Sequence, residues 1–345
     1  MARLPRCDAI DESTVGVYHC VNRCVRRAYL CGEDPVSGNN YDHRKEWIQT
    51  RLEFLAGEFG IDVVGFSVMT NHFHTILRNR PDVVASWSDS EVARRWWNLF
   101  PARRDRDGTP VTPRRTELKV LSKQIGKLRK RLSSISWLMR CLSENVARRA
   151  NKEENISDRF FQGRFRSQKL LDETSILACA IYVDLNPILA AITKTPEESC
   201  FTSAYERIQT GEKRARRRGH SRSASTGDQW LSPVELQEKQ NSLASTSQRR
   251  ASDRGFLPLS LDQYLQLLDW TGRQLLNDKR GAIPAHLAPI LERLQISIDC
   301  WADLIDSFGR WFHRAAGRPS SMAAECQRRG CSWLQGISHA RQAFT

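Results

Sequence analysis

The first eighty residues carry the pattern that most limits the fold of this chain: a strand, a helix and two further strands. "VGVYHCVNR", residues 15–23, is rich in β-branched and aromatic residues and predicts a strand. "KEWIQTRLEFLAGEFG" predicts a helix, because four apolar residues recur at helical spacing: Trp47, Ile48, Leu52 and Leu55. "IDVVGFSVMTNHFHTILR", residues 61–78, then predicts two short strands. This order is typical of a mixed α/β domain.

The rest of the chain divides by composition. Residues 82–115 mix aromatic, charged and turn residues and predict an insertion, which extends to about residue 130 with an amphipathic basic helix. "RFFQGRFRSQKLL", residues 159–171, predicts a strand, and the helix after it has Asp172 or Thr174 as its N-cap. We therefore expect a domain over residues 1–205, a basic flexible linker over 206–255 and a helical C-terminal region of unknown role over 256–345.

The net charge of +14 over 345 residues indicates a polyanionic partner, with nucleic acid first and an acidic membrane surface second. A solvated basic surface is the alternative. No run of eighteen apolar residues and no apolar signal core at the N-terminus occur, so we expect a cytoplasmic, nucleoid-associated protein with no membrane partner.

Two histidines lie one residue apart in the apolar stretch "VMTNHFHTIL". Alternate residues of a strand point to the same face, so His72 and His74 would present both imidazoles on one side and Phe73 on the other. That arrangement suits a divalent metal. A pair of core histidines explains the same spacing, and the motif alone does not decide between the two.

A tyrosine and an amide follow in "AIYVDLNP". Tyr182 and Asn186 are four residues apart and share one face if the segment is helical, although Pro187 biases Asn186 away from helical geometry. A phenol is a weak nucleophile at neutral pH and needs a group that accepts or offsets its proton. A phosphodiester needs a cation to offset its developing charge. A core tyrosine followed by a helix stop is the alternative.

Four motifs in order resemble the single-tyrosine HUH transposases, closest to the branch of REP-associated tyrosine transposases. They are "VYHCVNR", "GFSVMTNHFHTIL", "FFQGRFRSQ" and "IYVDLNPILAAI", and the resemblance covers roughly residues 10–195. It implies a ferredoxin-like α/β domain in which an antiparallel sheet has helices on one face.

The resemblance also implies roles for single residues. His72 and His74 match the paired metal ligands, Asn186 the third ligand and Tyr182 the nucleophile. The implied reaction cleaves single-stranded DNA beside a hairpin, leaves a 5′-phosphotyrosine link and a free 3′-OH, and rejoins strands without ATP. The expected cofactor is Mg²⁺ or Mn²⁺, and the expected partner is single-stranded or hairpin DNA. A homodimer and a monomer both stay open.

Further basic residues are candidates for DNA contact. His19 and Arg23 share one face of the first strand, Arg164 and Arg166 alternate to one face of a later strand, and Lys169 follows. Each phosphate contact would add to the salt dependence of binding. Charged residues at a strand edge are the alternative.

Two rival functions remain. A non-catalytic regulator could hold DNA hairpins on the same scaffold without cutting them. An RNA-binding protein could use the basic segments alone, and a competition between DNA and RNA hairpins of identical sequence would separate it from the others.

Overall fold

A five-stranded sheet lies at the centre of the protein in the computed structural model. Its strands are β1 (Gly16–Arg23), β2 (Ile61–Val68), β3 (His72–Asn79), β4 (Arg166–Leu170) and β5 (Ala315–Ala316). Their spatial order is β2-β3-β1-β4-β5. The pairs β2–β3, β1–β3 and β1–β4 are antiparallel, and the short β5 adds to β4 in parallel. The first four strands therefore have the order of a ferredoxin-like sheet.

The structure describes residues 9–25, 30–35, 37–218, 229–236, 245, 247–276 and 284–344. Within these ranges the helices are α1 (His43–Glu58), α2 (Pro81–Ser86), α3 (Asp89–Leu99), α4 (Arg115–Ser122), α5 (Ile125–Leu132), α6 (Ile135–Glu153), α7 (Glu173–Leu189), α8 (Ser203–Arg218), α9 (Leu261–Leu276), α10 (Ala288–Arg293), α11 (Ile298–Trp311), α12 (Pro319–Arg328) and α13 (Ile337–Ala343). No described helix combines the length and the apolar character that crossing a bilayer requires.

The sheet separates two hydrophobic cores. Helices α1 and α6 pack together over one face, against strand residues such as Tyr18, Phe73 and Leu77. The other face, with Val17, Ile76 and Leu170, is covered by α7 and the C-terminal helices. The mixed α/β class and the helical C-terminal region are thus confirmed. Helices cover both faces rather than one, because the C-terminal region encloses α7 against the face that carries the histidines.

Helix α7 is buried on nearly all sides, which explains why its sequence is apolar throughout. Asp172 is its N-cap, and the carboxylate accepts a hydrogen bond from the N–H of Ser175 at 2.9 Å. The helix continues through Pro187 to Leu189, so Asn186 stays helical. Pro187 has no N–H to donate to the carbonyl of Val183, so the helix continues there with one hydrogen bond fewer.

Several predicted boundaries shift. The basic amphipathic helix is two helices, α4 and α5, with a break at Gln124. The strand predicted from residue 159 begins only at Arg166, since Gly163 has a φ of 130° that interrupts the extended chain.

The stretch predicted as a linker, residues 206–255, is largely structured where it is described. Helix α8 extends to Arg218, Trp230 and Leu231 are buried, and Ser252 donates a hydrogen bond to the buried Asp62. Apolar contacts with β2 outweigh the polar composition in this part. Residues 219–228, 237–244 and 246 lie outside the described chain.

Candidate functional site

The paired histidines of β3 stand on the face of the sheet that α7 covers. The ring centroids of His72 and His74 are 4.8 Å apart. A third histidine, His19 of β1, lies beside them. Val21 is the direct strand partner of His74, and His19 is two residues from Val21, so it points to the same face. The alternation of two neighbouring strands therefore brings three imidazoles to one face.

A chain of hydrogen bonds fixes which nitrogen of His19 and His74 carries the proton. The Gln168 amide nitrogen donates to the carbonyl oxygen of Phe312 at 2.6 Å, so its Oε1 is the end that faces His19. That oxygen can only accept, and Nδ1 of His19, 3.3 Å away, donates to it. Nε2 of a neutral His19 must then accept from Nδ1 of His74, at 2.8 Å. The two ring planes differ by 9°, which suits a hydrogen bond in the plane of the rings.

The same reasoning leaves one ring nitrogen of each paired histidine without a proton, and we call it the bare nitrogen. Nε2 of His74 is buried and has no hydrogen-bond partner among the described residues. Nδ1 of His72 donates to Oδ1 of Asn71 at 2.6 Å, so its Nε2 carries the lone pair. Such hydrogen bonds to the second ring nitrogen are typical of metal-binding histidines.

Burial keeps all three imidazoles neutral at physiological pH. Desolvation lowers the pKa of His19 and of His72 to about 4, and the nearby charge of Arg23 contributes to the shift at His72. Desolvation also lowers the pKa of His74 well below its ordinary value. A neutral imidazole is the form that binds a metal ion.

The third predicted metal ligand, Asn186, has its amide nitrogen engaged within its own helix. Asn186 is buried, and its amide nitrogen donates to the backbone carbonyl of Tyr182, 2.8 Å away in its own helix. His19 cannot replace it, because its Nε2 engages the opposite nitrogen of His74. Among the residues that the structure describes, no three His, Cys, Asp or Glu side chains are arranged to hold a metal ion. The hydrogen bond to Tyr182 engages the amide nitrogen of Asn186 and leaves its oxygen, so Asn186 as a third ligand stays a prediction.

Tyr182 of α7 lies across from the histidines. Its ring centroid is 5.8 Å from that of His74 and 6.1 Å from that of His19, with the rings edge to face in both pairs. On its other side the phenol packs against α11, where Phe308 and Gly309 contact it. Burial raises the pKa of Tyr182, and a hydrogen bond with Asn186 partly offsets that rise.

These groups open into a cleft of about 630 Å³. Its lining includes His72, His74 and Tyr182, and five arginines: Arg23, Arg164, Arg166, Arg314 and Arg329. Arg23 lies directly opposite His72 in the strand pair. The cleft thus combines a potential nucleophile, two bare imidazole nitrogens and an excess of positive charge.

Two of the predicted DNA contacts are engaged by other protein groups. His19 is 5% exposed and both of its ring nitrogens are engaged, which leaves no donor for a phosphate. Lys169 forms an ion pair with Glu325 at 3.2 Å, and it is absent from the described lining of the cleft. Arg23, Arg164 and Arg166 are exposed and do line it.

Sequence reasoning missed the contributions of Gln168, Gly309, Phe312, Arg314 and Arg329. Gln168 alternates with Arg166 along β4, and that alternation could have assigned it to the histidine face. The other four come from the C-terminal region, whose docking depends on contacts more than a hundred residues apart in sequence.

Comparisons with known proteins give few matches. No protein-family model and no curated protein matches this chain. A solved structure of a REP-associated tyrosine transposase bound to a REP hairpin aligns with 61% of this chain and 87% of its own, at 10% identity and a TM-score of 0.36. A likeness this low carries no argument about function.

Proposed function

We propose that the protein is a metal-dependent DNA strand transferase of the transposase type, which cleaves and rejoins single-stranded DNA near hairpins through a 5′-phosphotyrosine at Tyr182. One observation supports this proposal most: the phenol of Tyr182 and the bare nitrogens of His72 and His74 meet in one arginine-lined cleft. The net charge of +14 and the four ordered motifs agree with a DNA substrate.

The chemistry requires little more than these groups. The Tyr182 oxygen forms a bond to phosphorus while the bond from phosphorus to the 3′-oxygen breaks, and that oxygen takes up a proton. The phenol loses its own proton, which burial makes harder. The reverse attack by a 3′-OH on the tyrosine link rejoins a strand, so the bond energy is conserved and no ATP is needed.

His72 and His74 are the residues that would hold Mg²⁺ or Mn²⁺. Nε2 of His74, which is buried and has no hydrogen-bond partner among the described residues, and the tautomer of His72 both fit this role. The bound ion would neutralise the charge that develops on the phosphate. Gln168 and His19 would serve to orient His74, and Arg23, Arg164 and Arg166 would bind backbone phosphates.

A denaturing gel tests the proposal. The protein is incubated with Mn²⁺ or Mg²⁺ and with 5′- and 3′-labelled hairpins taken from the DNA that flanks this gene. We expect a slowly migrating adduct that carries the DNA 3′ of the cut. It should be absent with Tyr182→Phe and with His72→Ala, and present with the matched control Tyr205→Phe, whose ring lies outside the described cleft.

A non-catalytic hairpin-binding regulator is the second candidate, and one observation favours it. The Tyr182 hydroxyl packs against Gly309, and no three His, Cys, Asp or Glu side chains among the described residues are arranged to hold a metal ion. Tight hairpin binding by the parent protein without any adduct would support this candidate and contradict the first. Preference for an RNA hairpin of identical sequence would contradict both.

A further inference from the structure

The C-terminal region forms one wall of the cleft. Its strand β5 docks on β4 through two backbone hydrogen bonds, from the N–H of Lys169 to the carbonyl of Arg314 and from the N–H of Leu171 to the carbonyl of Ala316, both at 2.9 Å. This docking brings the exposed Arg314 to the cleft, and Arg329, which follows α12, lines it as well. Backbone hydrogen bonds therefore hold this wall against the sheet, together with side-chain contacts such as the ion pair of Lys169 and Glu325.

Arg329 lines the cleft and has a buried donor with no partner among the described residues. Its side chain is 9% exposed, and its Nε donates to the Glu325 carboxylate at 2.6 Å. Its Nη2 is buried and makes no hydrogen bond to any described residue. A buried N–H group without an acceptor is unfavourable, so this position is suited to an acceptor from a ligand.

The positive charge around Arg329 also favours the binding of an anion. Three cations share the single carboxylate of Glu325: Lys169, Arg328 and Arg329. Burial raises the pKa of Glu325, but hydrogen bonds from Arg328 and Arg329 outweigh it and lower that pKa to about 2. The carboxylate is therefore ionised at physiological pH. Asp11 lies near Lys169 and Arg328, so three cations and two carboxylates leave an excess of one positive charge, to which the exposed Arg314 adds a second.

We propose that Arg314 and Arg329 bind backbone phosphates of a polynucleotide strand that lies in the cleft. Guanidinium groups match the geometry of phosphate oxygens and stay charged when buried. A polynucleotide is the occupant that suits a cleft with arginines on both walls, since Arg23 and Arg166 face it from the sheet. The inference rests on the proposed function for the identity of the strand, and it gives the C-terminal region a part in substrate binding.

The test measures how binding depends on salt. A fluorescein-labelled single-stranded oligothymidylate is titrated with the full-length protein in EDTA, by anisotropy over a series of KCl concentrations. EDTA removes any metal, so the measurement does not depend on His72 and His74. The variants are Arg314→Gln and Arg329→Gln. The matched control is Arg328→Gln, which removes the same charge and hydrogen bonds to the same Glu325 but lies outside the described lining of the cleft.

We expect each of the two cleft variants to lower the slope of log K against log salt by about 0.7, the value for one phosphate contact on a single strand. Arg328→Gln should lower it by less than half as much. Slopes of Arg314→Gln and Arg329→Gln that equal the slope of Arg328→Gln would overturn the inference, as would a parent protein that does not bind the oligonucleotide. If Arg329→Gln fails to fold by circular dichroism, the exposed Arg314 decides the outcome alone.

The adduct assay on the same proteins separates this inference from the proposed function. Reduced slopes in a protein that forms no adduct would leave the phosphate contacts in place and contradict strand transfer. An adduct from a protein whose slopes do not change would support strand transfer and contradict the phosphate contacts of Arg314 and Arg329.

Discussion

At the scale of single residues, the site depends on one bare nitrogen of His74. His19 and Gln168 orient that ring from behind, and the carbonyl of Phe312 determines which way the Gln168 amide faces. A metal ligand whose second nitrogen donates to a fixed acceptor loses less freedom on binding and is more basic. The effect of His19 on activity would therefore act through His74 rather than through contact with DNA.

This relay predicts weaker metal binding when it is broken and the ligands are kept. His19→Gln and Gln168→Leu should each weaken Mn²⁺ binding by about 10- to 100-fold, the range for residues that support metal ligands. Isothermal titration calorimetry measures the affinity directly, with no need for activity. Gln162→Leu is the matched control, because Gln162 lines the cleft and takes no part in the relay. Equal Mn²⁺ affinities in all three variants would show that the relay is unimportant.

The buried imidazoles also predict a pH dependence of stability. The pKa of His19 is about 4 in the folded chain and about 6.5 when unfolded, so the unfolded chain binds more protons between these values. The free energy of unfolding should be fully retained above about pH 6.5 and should fall as the pH drops towards 4. Each such group contributes a slope of up to about 1.4 kcal/mol per pH unit.

Urea unfolding of the parent and of His19→Gln over that pH range gives the measurement. The variant should show the shallower slope, since one of the groups that bind a proton on unfolding is missing. Identical slopes would mean that folding does not lower the pKa of His19.

At the scale of elements, the position of Tyr182 is set by the crossing of α7 and α11. A β-carbon added to Gly309 would stand 2.8 Å from the Tyr182 hydroxyl oxygen, too close for either to stay in place. Gly309 therefore permits the phenol to sit between α11 and the histidines. The sequence identified Tyr182 and Asn186 of α7, but not Gly309, which positions Tyr182 and lies 127 residues away in sequence.

Gly309→Ala should displace the hydroxyl without unfolding the protein. Alanine favours a helix by up to about 1 kcal/mol over glycine, and the crowded atom is the movable end of a side chain. We expect adduct formation to slow by about 100-fold, the effect of a misplacement near 1 Å, with little change in thermal stability. Gly272→Ala is the control, because its β-carbon would contact α7 at Leu185, away from Tyr182, at 3.3 Å. Equal adduct rates in the two variants would argue against this role of Gly309.

Much of the sheet could be predicted at this scale, because alternation in β1 and β3 and helical spacing in α1 are local patterns. The spacing of His72 and His74 alone predicts that both imidazoles point to the same face of the sheet. Gln168, Phe312 and Arg329 could not be found in the same way, since their neighbours in space are distant in sequence. For Asn186 the helical spacing to Tyr182 is confirmed, and its amide nitrogen donates to the carbonyl of Tyr182 in the same helix, a contact that the spacing alone did not predict.

At the scale of the whole molecule, both halves of the proposed site come from one chain. The histidines of β3 and the tyrosine of α7 meet with centroids 5.8 Å apart, and the C-terminal helices cover α7 in a single hydrophobic core. The C-terminal region is therefore part of the same folded unit as the sheet. A monomer contains every group that the proposed reaction uses.

This arrangement predicts that two inactive variants cannot rescue each other. A mixture of Tyr182→Phe and His72→Ala should form no adduct, because each chain lacks one part of its own site. The denaturing gel with labelled hairpin DNA gives the readout, with the parent protein at equal total concentration as the positive control. Restored adduct in the mixture would show that the tyrosine acts on the histidine pair of a second copy.

The most direct test of the account locates the covalent link. The protein is incubated with hairpin DNA and Mn²⁺, treated with nuclease and trypsin, and analysed by tandem mass spectrometry. Trypsin releases residues 170–194 as one peptide, in which Tyr182 is the single tyrosine. We expect a nucleotide remnant on Tyr182 of that peptide. A remnant on any other residue, or none in any peptide despite tight hairpin binding, would contradict it.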